Sequence, residues 1–141
     1  MSSNSWNFEL ILKPDGELIT EGPVWTGEEI LFTHIRKNRI LRYNPKTNAI
    51  SVWRENTNRT NGLCFDNHGK LFGCCSGGRS IVRFDADGKN SVVADKLDGK
   101  KLSTPNDLAI DRKGRIALHI TGQLTDVRQV TVPLNQVLAE K

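Results

Sequence analysis

The sequence predicts an all-β protein, an incomplete β-propeller of about two and a half four-stranded blades. Three observations carry that prediction. A repeat of roughly 40–45 residues runs along the chain, each repeat divides into four short apolar runs separated by turn residues, and no segment has helical periodicity.

The repeat is legible in three registers. EGPVWTGEEILF at 21–32 aligns with NGLCFDNHGKLF at 61–72, offset by 40 residues, so Gly22 falls on Gly62, Val24 on Cys64, Trp25 on Phe65, Leu31 on Leu71 and Phe32 on Phe72. NDLAIDRKGRI at 106–116 aligns with NGLCFDNHGKL at 61–71, offset by 45, keeping Asn, Leu, Asp and Gly and placing Arg115 on Lys70. RILRYNPKT at 39–47 aligns with SIVRFDADG at 80–88, offset by 41, the extra residue falling in the turn near Gly77-Gly78. A β-sandwich with fortuitous turn spacing is the rival architecture. It does not account for registers that agree on both the turn glycine and the strand apolars.

The elements follow in order. FELIL at 8–12 is expected to be the strand that, in a complete propeller, closes the ring as the outer strand of the last blade. Val24-Trp25 and Ile30–Phe32 read as the first strands of the first blade, followed by RILRYN. The second blade reads GLCFD, KLFGCC, SIVRFD and NSVVADKL, with Asn/Asp/Gly turns between them. The third opens on NDLAIDRKGRI and loses the pattern after Ile116, since ALHITGQLTDVRQVTVPLNQVLAEK has no aromatic-rich second strand and no clear second turn. Residues 1–141 therefore read as a single partial propeller domain with a divergent tail over 117–141. Val24, Leu63, Phe65, Leu108 and Ile110 are expected to be buried between blades.

Composition narrows the function classes. The 141 residues carry 20 Lys+Arg against 16 Asp+Glu, a net charge of +4. The charges are scattered singly and in pairs, as on a solvated surface. A nucleic-acid footprint needs a clustered stripe, so none is expected. No apolar run approaches about 18 residues, so no membrane span is expected. The start MSSNSWNFEL lacks a basic n-region and an apolar h-region, so no signal peptide is expected. Three cysteines, Cys64, Cys74 and Cys75, form an odd count that points to reduced thiols and a cytoplasmic location. Cys74-Cys75 is either a metal or redox pair or two structural thiols. Neighbouring strand residues face opposite ways, which favours structural thiols. NRT at 58–60 fits a glycosylation sequon, meaningful only in a secreted protein.

Glu21, Asn61 and Asn106 occupy one repeat position, just ahead of the innermost strand. In a propeller such positions ring the central channel, so three oxygen-bearing side chains are expected to converge on the axis, as a hard divalent cation requires. Each asparagine is also an ordinary residue for a turn entering a strand. No G-x-S-x-G nucleophile elbow is present. His68 lies in a turn, while His34 and His119 lie in or near strands and either could face the channel.

EGPVW, NGLCFDNHGKL and STPNDLAIDRKGRI, in this order and at blade spacing, resemble the senescence marker protein / gluconolactonase / luciferin-regenerating enzyme family. The resemblance covers residues 17–116. It implies a six-bladed propeller with a divalent metal, Ca²⁺ or Zn²⁺, in its channel, and hydrolysis of a small-molecule sugar lactone or related ester. By position it makes Glu21 a metal ligand, Asn106 a residue reaching the metal or the substrate, and Asn61 a channel residue. Thr104 stands where some members place a substrate-contacting arginine. Two further ligands of the family, from the fourth and fifth blades, have no counterpart here. The expectation is a metal-dependent lactone or ester hydrolase in part, itself inactive, binding metal weakly or not at all and self-associating through open blade edges. The alternative is a non-catalytic propeller binding module.

Overall fold

Alternating apolar and polar residues, interrupted by side-chain-capped turns, set the strands. The computed structural model describes residues 9–13, 16–121 and 130–133, the last four by backbone alone. β1 (Thr20–Trp25), β2 (Ile30–His34), β3 (Arg39–Asn44) and β4 (Ala49–Glu55) pair antiparallel in sequence order. β5 (Thr60–Phe65), β6 (Leu71–Cys75), β7 (Ser80–Phe84) and β8 (Asn90–Ala94) repeat that meander. A short ribbon of β9 (Lys96–Leu97) and β10 (Lys100–Lys101) leads to a third sheet. It consists of β11 (Thr104–Ile110), β12 (Arg115–Thr121) and β13 (Val130–Pro133). Strands that pair only with their sequence neighbours make propeller blades; a sandwich would require strands to cross between sheets.

The turn joining the first two strands of each blade is built the same way three times. Thr26 Oγ1 accepts from the backbone N–H of Glu28 and Glu29. Asp66 Oδ1 accepts from His68 and Lys70, and Asp111 Oδ1 from Lys113 and Arg115. One side-chain oxygen thus satisfies two amides that no strand partner can reach.

Two apolar clusters fill the seams between blades. Leu31, Ile40, Leu63, Leu71, Cys75, Val82 and Phe84 form the one joining the first two blades. Phe72, Cys74, Ile81, Leu102, Leu108, Ile116 and Leu118 form the one joining the second and third. β6 is buried along its whole length because a blade covers each of its faces. Of the residues expected inside, Leu63 and Leu108 are buried, but Val24, Phe65 and Ile110 are only half-buried. Phe65 ends β5 next to the exposed Asn67–Lys70 turn, so its ring covers the rim of the core instead of filling it. Phe65→Ala therefore costs less than the roughly 3–5 kcal/mol of a fully buried ring.

The structure carries a strand past Ile116, where the repeat pattern fades. β12 runs on to Thr121 and stays in register with β11 up to the Thr104–Thr121 pair. Ile116, Leu118 and Ile120 keep the period-two alternation without any aromatic, so the strand survives the loss of the aromatic signature. Residues 122–129 and 134–141 of the tail lie outside the described residues. So do residues 1–8, including Phe8 of the FELIL stretch. Its described part, Glu9–Leu12, forms no strand, with Leu10 and Ile11 exposed. Among the described residues no helix is long and apolar enough to cross a membrane.

Candidate functional site

The inner strands β1, β5 and β11 lie side by side, and glycine makes their approach close. A Cβ on Gly22 would stand 2.6 Å from the backbone nitrogen of Leu63 and 2.7 Å from the carbonyl oxygen of Asn61. A Cβ on Gly62 would stand 2.9 Å from the carbonyl oxygen of Asn106 and would overlap the side chain of Asp107. The same repeat position thus brings backbone against backbone at both seams.

Next to these glycines the ladders shift register. The shifts fall between Glu21 and Val24 in β1, between Thr60 and Leu63 in β5, and between Pro105 and Asp107 in β11. Glu21, Asn61 and Asn106 sit at these irregular steps. A bulge in a strand re-aims the side chain it carries, which is why such steps recur beside binding sites.

The structure joins the two amides directly. Asn61 Nδ2 donates to Asn106 Oδ1 at 2.5 Å, and Asn106 Nδ2 faces His119 Nδ1 at 3.4 Å. Glu21 is exposed at the corresponding step of β1, and its backbone carbonyl accepts from Thr33 Oγ1 at 3.0 Å. No hydrogen bond among the described residues links Glu21 to either asparagine. Instead it lines a cleft of about 440 Å³ with Glu9–Leu12, Leu18, Thr20, Pro23, Ile30 and Phe32. Thr104 begins β11, exposed, its carbonyl accepting from Thr121 Oγ1 at 3.4 Å. His34 is buried, and its Nδ1 accepts from the Arg39 guanidinium at 3.2–3.3 Å, which ties it to the blade core. The contact of His119 with Asn106 escapes sequence reasoning, because it depends on the β11–β12 register in the stretch where the repeat pattern fades.

The thiols are separated as strand geometry requires: Cys74 enters one core cluster and Cys75 the other. Burial pushes all three thiols above the usual cysteine range, Cys74 furthest. Thr60 Oγ1 lies 3.2 Å from Cys75 Sγ, which in turn donates to the carbonyl of Thr57. These are protonated packing groups. Among the described residues, no three His, Cys, Asp or Glu side chains cluster so as to hold a metal. The side chains at the shared repeat position, one carboxylate and two amides, offer only hard oxygen donors, a chemistry that suits Ca²⁺ better than Zn²⁺.

Comparison with known proteins bears on this geometry. The family model of the SMP-30/Gluconolactonase/LRE-like region matches residues 19–130. The chain belongs to this family. The match runs beyond Ile116, as β12 does. A gluconolactonase of Zymomonas mobilis is 27% identical over 113 residues, which are 69% of this chain and 32% of that protein. The solved structure of a gluconolactonase from Xanthomonas campestris superposes with a TM-score of 0.66 at 32% identity, over 70% of this chain and 34% of the other. A luciferin-regenerating enzyme shares the fold, with a TM-score of 0.56 at 18% identity, over 77% of this chain and 40% of the other. The chain thus spans about a third of the length of the gluconolactonases it matches.

Proposed function

We propose that β1, β5 and β11 contribute to the cation-binding channel of a sugar-lactone or ester hydrolase. Glu21 and Asn106 serve as ligands, and Asn61 and Thr104 face the channel. The observation that carries this reading is the placement of Glu21, Asn61 and Asn106 at one irregular step of three adjoining inner strands, with the two amides hydrogen-bonded. The gluconolactonase relatives support the reaction class.

When bound, a divalent cation polarises a lactone carbonyl and stabilises the charge that develops on its oxygen. Glu21 supplies the negative charge that attracts the cation. The amide pair supplies neutral oxygens held in one orientation, which lowers the reorganisation that binding demands. The buried, protonated thiols are not poised as nucleophiles, and a channel carboxylate or water takes that role in this reading. Ca²⁺ takes about 6–8 oxygens, and one carboxylate with two amides falls short of that. The expected behaviour of this chain alone is weak Ca²⁺ binding, no lactone turnover, and self-association through strand edges left open. Calorimetric titration with Ca²⁺ and with Zn²⁺, beside a pH-stat assay on a sugar lactone, tests all of this. Millimolar Ca²⁺ affinity that Glu21→Gln abolishes is the expected result. A monomer with lactone turnover, or Ca²⁺ binding indifferent to Glu21→Gln, overturns the reading.

A further inference from the structure

The two amides and the imidazole form a chain with a direction. A carboxamide NH₂ can only donate, so Asn106 Nδ2, 3.4 Å from His119 Nδ1, requires that ring nitrogen to be the acceptor. This placement needs a ring protonated on Nε2; a ring protonated on Nδ1 would instead need Asn106 Oδ1 facing it and both amides turned end for end, so the tautomer decides between the two arrangements. With Nδ2 turned to His119, Asn106 Oδ1 turns to Asn61 and accepts from its Nδ2. Asn61 is thereby oriented as well. Its Nδ2 is engaged, and no hydrogen bond among the described residues reaches its Oδ1. Each amide alone could flip end for end with little change in shape. The imidazole makes the two ends of both unequal.

We propose that His119 is a positioning residue that sets the polarity of the Asn61–Asn106 amide pair and so presents Asn61 Oδ1 as an oxygen ligand to the cation of the channel. This rests on the channel reading above and deepens it. His119 touches neither cation nor substrate and acts through Asn106. It stands opposite Asp107 in the ladder, exposed at the strand surface, so its replacement removes no core packing.

Two measurements on the full chain separate this role from the channel reading. A long-range ¹H–¹⁵N spectrum of the histidine rings, recorded at about pH 8.5, above the ordinary histidine range, reads the tautomer without any cation. His119 is expected to carry its proton on Nε2; a proton on Nδ1 overturns the proposal. Ca²⁺ is then titrated while the Asn61 and Asn106 side-chain amide signals are followed. In His119→Leu the Ca²⁺ affinity falls about tenfold, the weight of one lost orienting hydrogen bond. In His119→Gln it stays near that of the unsubstituted chain, because the Gln Oε1 can accept from Asn106 Nδ2. Equal affinity in His119→Leu and the unsubstituted chain refutes the positioning role. Failure of the unsubstituted chain to bind Ca²⁺ refutes the channel reading, and the tautomer still decides what His119 does to the amides.

Discussion

A methyl group on Gly22 has nowhere to go. Its two nearest neighbours are backbone atoms of the next blade, which cannot rotate away as a side chain can, and the residue's φ of +53° is itself strained for any L-residue. Gly22→Ala is expected to cost about 2 kcal/mol or more, combining a clash with left-handed strain, read as a lowered urea midpoint. A midpoint within error of the unsubstituted chain would mean that the inner strands do not touch there. The thiols make a second residue-scale prediction. Their folded pKa values lie above the unfolded ones, so the fold binds the neutral form. That contribution is complete below the ordinary thiol pKa of about 8.5 and declines as pH rises above it. At pH 8, iodoacetamide should leave Cys74 and Cys75 unmodified in the folded chain and label all three cysteines in guanidinium. A native adduct on either, seen by mass spectrometry, contradicts their burial. The repeat alone singled out Glu21, Asn61 and Asn106, because equivalent positions in repeated blades are equivalent in space. His119 was one of two histidines that the sequence allowed to face the channel, but its contact with Asn106 was not legible, because that partner is fixed by a strand register that no local residue pattern marks.

The strand-to-strand turns show what an element gains from one substitution between repeats. In the third blade Asp111 Oδ1 caps the turn, while Oδ2 takes the Arg115 guanidinium at 2.6 Å. In the second blade Asp66 Oδ1 caps the same turn, but Oδ2 is buried without a hydrogen-bond partner, and Lys70 stands where Arg115 does. The longer guanidinium fork reaches a carboxylate that the ammonium leaves unsatisfied. Lys70→Arg should therefore raise stability by about 0.5–1 kcal/mol, measured as an increase in Tm, whereas the same change at an exposed lysine such as Lys89 should do nothing. A Tm unmoved by Lys70→Arg would show that Asp66 Oδ2 is satisfied some other way. The turns were legible because Asp, Asn and Gly recur at fixed offsets. The persistence of β12 past Ile116 was not, because Leu118 and Ile120 preserve alternation while discarding the aromatic residues that marked the earlier blades.

At the scale of the whole molecule each blade closes on strands adjacent in sequence, and only the seams join one blade to the next. The first seam is reinforced on its outer side. Arg54 of β4 lies 4.8 Å from the Trp53 ring centre and donates to the carbonyl of Asp85 at 2.8 Å, while Trp53 meets Phe84 edge-on at 6.2 Å. A chain of units coupled to nearest neighbours opens in stages. Hydrogen exchange should be slowest in β6, covered on both faces, and faster in the outer strands β4 and β8. Equal protection in all three strands would mean that the blades unfold only together. The fold class was legible because the repeat length and the turn rhythm are local properties of the sequence. The pairing of Asn106 with His119 and the reach of Arg54 across a seam arise only once blades meet. The close approach at the two glycines also bears on synthesis. Everything the first blade needs to pair its strands has been translated once Glu55 leaves the ribosome, whereas Gly22 meets its contacts only after Asn61–Leu63 emerge, and Gly62 only after Asn106-Asp107. The seams are therefore made in the order of translation, each glycine meeting its contacts only about 40 residues of chain after itself, a few seconds at typical elongation rates.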